Sequence, residues 1–189
     1  PWRSGGIARA AAQTVPVVDG ASVYGGTPAD AAVIEAIQAL AARGKDVMFY
    51  PFILMDQVAG NTLTDPWTGA GTQPALPWRG RITLSVAPGR DGSPDQGASA
   101  AAEVAAFFGT AEPGDFAING RTITYSSPAE WSYRRFILHC AAVCVAAGGV
   151  ESFCIGSEMR SLTQIRGPGD SFPAVVALRQ LAVDAHRGL

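Results

Sequence analysis

The chain has 189 residues, 48% hydrophobic and 16% charged, with 22 Gly and 13 Pro, which describes one loop-rich globular domain with a real core rather than a disordered tract. A formal charge of −2 and the lack of any basic run argue against nucleic-acid binding through phosphates. No apolar run is long enough to span a membrane, and the chain opens at Pro1 without a signal peptide, so it reads as a piece of something longer.

The first clear unit starts at Thr27-Pro28-Ala29-Asp30, which supplies an N-cap hydroxyl, a proline at the first helical position and an acid in the first turn. Val33, Ile34, Ile37, Leu40 and Ala41 follow helical spacing, and Gly44 stops the helix. Asp46–Met55 (DVMFYPFILM) then reads as a strand that is apolar on both faces, as in a parallel sheet covered by helices. Residues 21–24 close an earlier strand, which gives a β–α–β order. Residues 57–97 form a long irregular stretch with Trp67, Trp78 and five prolines, and residues 81–86 are a short strand candidate inside it. A helix over about 98–108 and a hairpin over Phe116–Tyr125, turning at Asn119-Gly120, follow.

The second strong unit is a helix over 131–147, with Phe136, Ile137, Cys140, Val143 and Cys144 as its apolar stripe and Gly148-Gly149 at its end. A short strand, 151–155, runs into Gly156-Ser157-Glu158. The last helix spans about Pro173 to His186, with Val175, Val176, Leu178, Leu181 and Ala182 expected to pack inward. About three parallel strands with their helices result, whereas a closed (β/α)8 barrel needs eight strands and about 250 residues. The fold class expected is α/β: a partial, TIM-barrel-like domain forming the first half of a barrel. Residues 1–189 make one domain, with 57–130 as a long insertion carrying the hairpin. A smaller three-layer sandwich is the alternative.

Two strands finishing in carboxylates outline a sugar-cleaving site. Glu158 is the candidate general acid or base; the alternative is a loop Glu paired with Arg160 or Arg166. Asp56 is the second candidate, against a loop Asp that caps the turn after its strand. Tyr24, Trp67, Trp78 and Trp131 are loop aromatics suited to stacking on sugar rings, or to packing the long loop on the body. Arg79 and Arg81 are candidates for pairing with an acidic sugar, solvated loop charges being the plainer reading.

Cys140, Cys144 and Cys154 lack the partners of a zinc site and read as small core residues, which points to a reducing compartment during synthesis. Gly25-Gly26 lacks the Lys-Ser/Thr of a P-loop and reads as a tight turn. His139 and His186 fall on helices, and Gly156-Ser157-Glu158 is not a nucleophile elbow, so serine-hydrolase chemistry is disfavoured. No metal and no cofactor is expected.

The runs YGGTPADAAVIEAI (24–37), YPFILMD (50–56), QPALPWRGRIT (73–83), WSYRRFILHCA (131–141) and CIGSEMRSLTQIRG (154–167) resemble the glycoside-hydrolase TIM-barrel-like domain of phage tail and gene transfer agent baseplate proteins. The resemblance covers roughly residues 20–189. It implies part of a larger tail-tip hub or host-specificity protein in a multi-subunit particle, assembled in the bacterial cytoplasm and acting at the host envelope. Its partners would be other baseplate proteins and cell-envelope glycan.

The resemblance also implies that Glu158 holds the acid/base position at the end of the fourth strand. Many such glycosidases carry Asn just before that Glu to hold a sugar 2-OH, and here Ser157 takes its place. Three readings remain: an active glycosidase with its nucleophile beyond Leu189, a non-enzymatic carbohydrate-binding or structural hub domain, and a generic metabolic barrel enzyme.

Overall fold

The computed structural model describes residues 28–53, 55 and 59–188, together with the backbone of four two-residue strands near the start of the chain. Those strands are β1 (Trp2–Arg3), β2 (Gln13–Thr14), β3 (Val17–Val18) and β4 (Ala21–Ser22). β1 pairs antiparallel with β2, and β3 pairs antiparallel with β4. The strand expected at 21–24 is therefore one arm of a hairpin and not the parallel partner of a β–α–β unit. Tyr24, Gly25-Gly26 and Thr27 lie outside the described residues, as do Leu54 and residues 56–58.

Helix α1 spans Asp30–Ala41. Its N-cap is Ala29, with no side-chain cap, so the helix starts later than the Thr27-Pro28 signal predicts. Its end follows the sequence: Gly44 takes φ +65°, which lets Lys45 N–H reach back to the Leu40 carbonyl at 3.1 Å.

The parallel pair is shorter than the sequence suggests. Only Met48–Phe49 (β5) and Ser152–Phe153 (β8) form the ladder, with Met48 opposite Ser152 and Phe49 opposite Phe153. Pro51 has no N–H to extend it. Phe49 and Phe153 stack with ring centroids 5.9 Å apart. One face of this pair is covered by Ile34 and Ile37 of α1 and by Val143, Cys144 and Ala147. Among the described residues this is the one parallel pair, so a closed barrel is not formed there.

The larger core gathers α2 (Ala98–Phe108), α3 (Tyr133–Ala146), α4 (Arg160–Thr163) and α5 (Pro173–Gly188) around Phe108, Ile137, Leu162, Ile165 and Leu181. Ile82 and Leu84 enter it as well, yet residues 81–86 form no strand: a 3-10 turn at Arg79–Arg81 leads into irregular chain that buries Ile82, Thr83 and Leu84 in succession. The hairpin is present as β6 (Phe116–Asn119) and β7 (Thr122–Tyr125). Its turn is Gly120-Arg121, one residue later than predicted, because Asn119 is itself paired with Thr122. Positive φ at Gly120 alone fits a type II′ turn, which asks for glycine first.

Helix α5 rotates away from the expected stripe. Ala174, Leu181 and Ala185 are buried, while Val175 and Val176 face outward. The rotation accommodates Asp184, whose carboxylate meets Arg134 of α3 at 2.8 Å, with both side chains buried. A buried charge needs such a partner, so the ion pair sets the face of α5 that turns inward.

Two polar clamps join these elements. Glu130 accepts the Thr110 and Ala111 N–H groups at 3.0 to 3.1 Å and the Ser132 hydroxyl, and Ser132 caps α3 by accepting Arg135 N–H at 3.1 Å. Gly109 sits under this clamp at φ +76°, where a Cβ would lie 2.2 Å from a Glu130 carboxylate oxygen. The other clamp is Asp95, whose side chain is 5% exposed and receives the Arg166 backbone N–H at 2.7 Å and its guanidinium at 2.8 Å.

Burial pushes the carboxyl pKa of both Asp95 and Glu130 up. For Asp95 the Arg166 hydrogen bonds and charge outweigh it, and for Glu130 the Ser132, Thr110 and Ala111 donors do. Both end below their ordinary values of 3.8 and 4.5. Asp30 is lowered too, by the His139 side chain 3.0 Å away.

Two predictions follow from the clamps. Gly109→Ala should destabilise by more than ~2 kcal/mol, because glycine alone tolerates that backbone region and the new methyl meets the clamp. Gly71→Ala, in open space, should be neutral or stabilising by up to ~1 kcal/mol. Urea midpoints of the two variants check this. A carboxyl with a depressed folded pKa contributes stability above its unfolded value and loses it as pH falls through the folded one. The urea midpoint should therefore hold from neutral pH down to about the ordinary carboxyl values and drop below them, with a shallower drop in Asp95→Asn.

Candidate functional site

The C-terminal ends of β5 and β8 lie side by side, and the chain beyond each contributes to one cluster. After β8, Cys154 donates its N–H to the Phe49 carbonyl at 2.9 Å, which carries the parallel register one residue further. The Tyr133 hydroxyl then donates to the Ile155 carbonyl at 2.7 Å. Gly156 permits that close approach, since a Cβ there would sit 2.9 Å from the same hydroxyl. These contacts fix the strand end against α3.

Glu158 follows in the left-handed region, at φ +55°. A glutamate there costs roughly 1 kcal/mol or more, and such residues concentrate at functional sites. The turn aims its carboxylate at the long loop. Oε2 accepts the Trp78 indole N–H at 2.7 Å, and Oε1 meets the Arg79 guanidinium at 3.0 Å. The partner of Glu158 is thus neither Arg160 nor Arg166, the latter being committed to Asp95.

Arg79 is no solvated loop charge. Its side chain is 14% exposed and its guanidinium lies 4.6 Å from the centre of the Phe52 ring. Arg81 is also committed, to the buried Asp65 at 3.3 Å. Trp78 is half exposed and its ring covers Gly80, where a Cβ would be 2.4 Å from the ring carbons. The Gly80 backbone therefore supports the indole from beneath, and Glu158 holds it at its edge.

The other predicted residues are distributed differently. Trp67 donates its indole N–H to the Arg81 carbonyl at 2.9 Å, beneath the Arg81 guanidinium, and so pins the long loop. Trp131 packs against the Arg135 guanidinium at 4.1 Å, near the hairpin. The Ser157 hydroxyl is buried and has no hydrogen-bond partner among the described residues. Asp56 and Tyr24 lie outside the described residues. The depression beside Trp78, lined in part by Met55, Trp67 and Pro77, has a cavity volume of about 20 Å³. That is room for a water and not for a sugar ring, so a ligand at this cluster would lie on the exposed indole.

Sequence reading missed Arg79 as the partner of Glu158 and Phe52 as its support. The available signal was the neighbouring Trp78-Arg79 in a loop rich in proline and glycine, and nothing in it points to a carboxylate so far along the chain. The thiols of Cys140 and Cys144 are pushed up by burial, that of Cys144 to about 12, which fits the core role read from their helical spacing.

Chemically, the cluster offers an apolar ring face beside fixed donors and acceptors. Both carboxylate oxygens of Glu158 are engaged by protein donors, so proton donation to a leaving group requires one of them to be released. No curated protein matches the chain. Residues 131–189, from Trp131 through α3, β8 and Glu158 to the end of α5, match the family model of the GTA TIM-barrel-like domain. That stretch of the chain, which contains Glu158 but neither Trp78 nor Arg79, is consistent with a gene transfer agent domain of TIM-barrel-like fold.

Proposed function

We propose that the chain is part of the tail tip or baseplate of a gene transfer agent or phage-like particle, and that its barrel-like domain contacts cell-envelope glycan through the Glu158 cluster. Other baseplate proteins are its neighbours in the particle. The observation that carries this reading is Glu158 itself. It stands beyond the end of a parallel strand, in a left-handed turn, against a half-exposed tryptophan and an arginine. The match over residues 131–189 supports the particle assignment.

Two versions differ in what Glu158 does. In the hydrolytic version it breaks from Trp78 or Arg79 when substrate enters, takes up a proton from water and passes it to the glycosidic oxygen, with a second carboxylate as its partner. In the binding version the pair stays closed, and the carboxylate orders Trp78 and accepts sugar hydroxyls. The engagement of both Glu158 oxygens favours binding without cleavage.

The test is incubation of the intact protein with labelled peptidoglycan and host-surface polysaccharide, reading both sedimentation with the glycan and release of label. Co-sedimentation without release is the expected result, with binding weakened in Trp78→Ala. Release that falls on the order of a hundredfold in Glu158→Gln would instead establish proton transfer by Glu158. Neither binding nor release would remove glycan contact from the reading.

A further inference from the structure

We infer that the sugar taken by the Trp78 face is uncharged. This rests on the glycan reading above and adds to it the chemical class of the ring. The argument is one of charge and of rigidity. Among the described residues, the cation and anion at the Trp78 ring are Arg79 and Glu158, and they are spent on each other at 3.0 Å. The guanidinium is largely buried, resting on Phe52, so it has little surface left to offer a uronate or a phosphorylated sugar. The nearby Arg81 pairs with the buried Asp65 at 3.3 Å, with its own side chain 40% exposed. An anionic sugar on the Trp78 face would therefore shed hydration against an Arg79 that is already paired, and the half-exposed Glu158 carboxylate would repel it.

The apolar side of the site is built to stay in place. Trp78 is fixed at its edge by the bond from its indole N–H to Glu158 and beneath by Gly80, whose missing side chain lets the ring lie flat on the backbone. A half-exposed indole held on two sides loses little freedom when a ring stacks on it, which is the condition for useful affinity at a shallow surface. The Glu158 carboxylate at its rim accepts hydroxyl hydrogens. An apolar face with a hydroxyl acceptor at its edge, and with Arg79 already paired to that acceptor, suits a neutral hexose or N-acetylhexosamine.

The intact protein should be titrated with a tetramer of N-acetylglucosamine and with a galacturonate tetramer, under one salt condition, by calorimetry. The neutral tetramer should bind about tenfold or more tighter than the anionic one. Trp78→Ala should lose about tenfold for the neutral tetramer. Glu158→Gln, which keeps the size of the side chain and leaves the Arg79 charge uncancelled, should narrow the preference severalfold by improving the anionic tetramer; thermal melts confirm folding of both variants. Equal or tighter binding of the galacturonate tetramer by the unmodified protein overturns the inference and leaves glycan contact standing. So does an unchanged preference in a folded Glu158→Gln. Binding of neither tetramer by the unmodified protein overturns both.

Discussion

The buried surface of α3 is shared by both hydrophobic cores. Tyr133, Ile137 and Leu138 belong to the larger core with α2 and α5, while Val143 and Cys144 close the smaller one over α1 and the parallel pair. One helix thus sets the position of the strand pair relative to the rest of the body. The same helix carries the two polar contacts that the arrangement needs. Arg134 fixes the face of α5 through Asp184, and Tyr133 ties down the chain at Ile155, three residues before Glu158. The site inherits its position from this packing.

What the sequence made legible was local. The 3.6-residue spacing from Val33 to Leu40, the glycine at 44 and the Gly148-Gly149 stop lie in contacts within a turn or two, and the helices end where those residues say. The range 98–108 was readable for the same reason. Errors came where a distant partner decides. Val175 and Val176 look like core residues by composition, but the buried Arg134–Asp184 pair turns α5 another way. The strand expected at 46–55 needs a neighbour with matching N–H groups, and Pro51 ends the ladder early. The hairpin was found and its turn misplaced by one residue, since register depends on cross-strand pairing rather than on the Asn-Gly signal alone.

The site was half legible. Glu158 could be singled out because the strand before it and the helix after it are local features. Trp78 could be singled out as an aromatic in a proline-rich loop. That the two share a hydrogen bond was beyond reach, as was the commitment of Arg79 to Glu158, because no periodicity connects a loop to a strand end so far along the chain. The same limit explains why Trp67 looked equivalent to Trp78. Only the tertiary arrangement separates an indole spent inside its own loop from one that lies half open beside a carboxylate.

The Trp78–Glu158 bond spans 80 residues of chain. Closing a loop of that length costs roughly 4 kcal/mol of chain entropy, before any constant, and neither a single hydrogen bond nor an ion pair with a half-exposed carboxylate returns that much. The contact therefore forms only after the cores have brought its ends together. Until α3 and β8 have been synthesised and docked, the half of the site at Trp78 and Arg79 exists without its carboxylate. A nascent or partly folded chain therefore presents Trp78 without the carboxylate at its edge, and the cluster exists only once the two cores have docked.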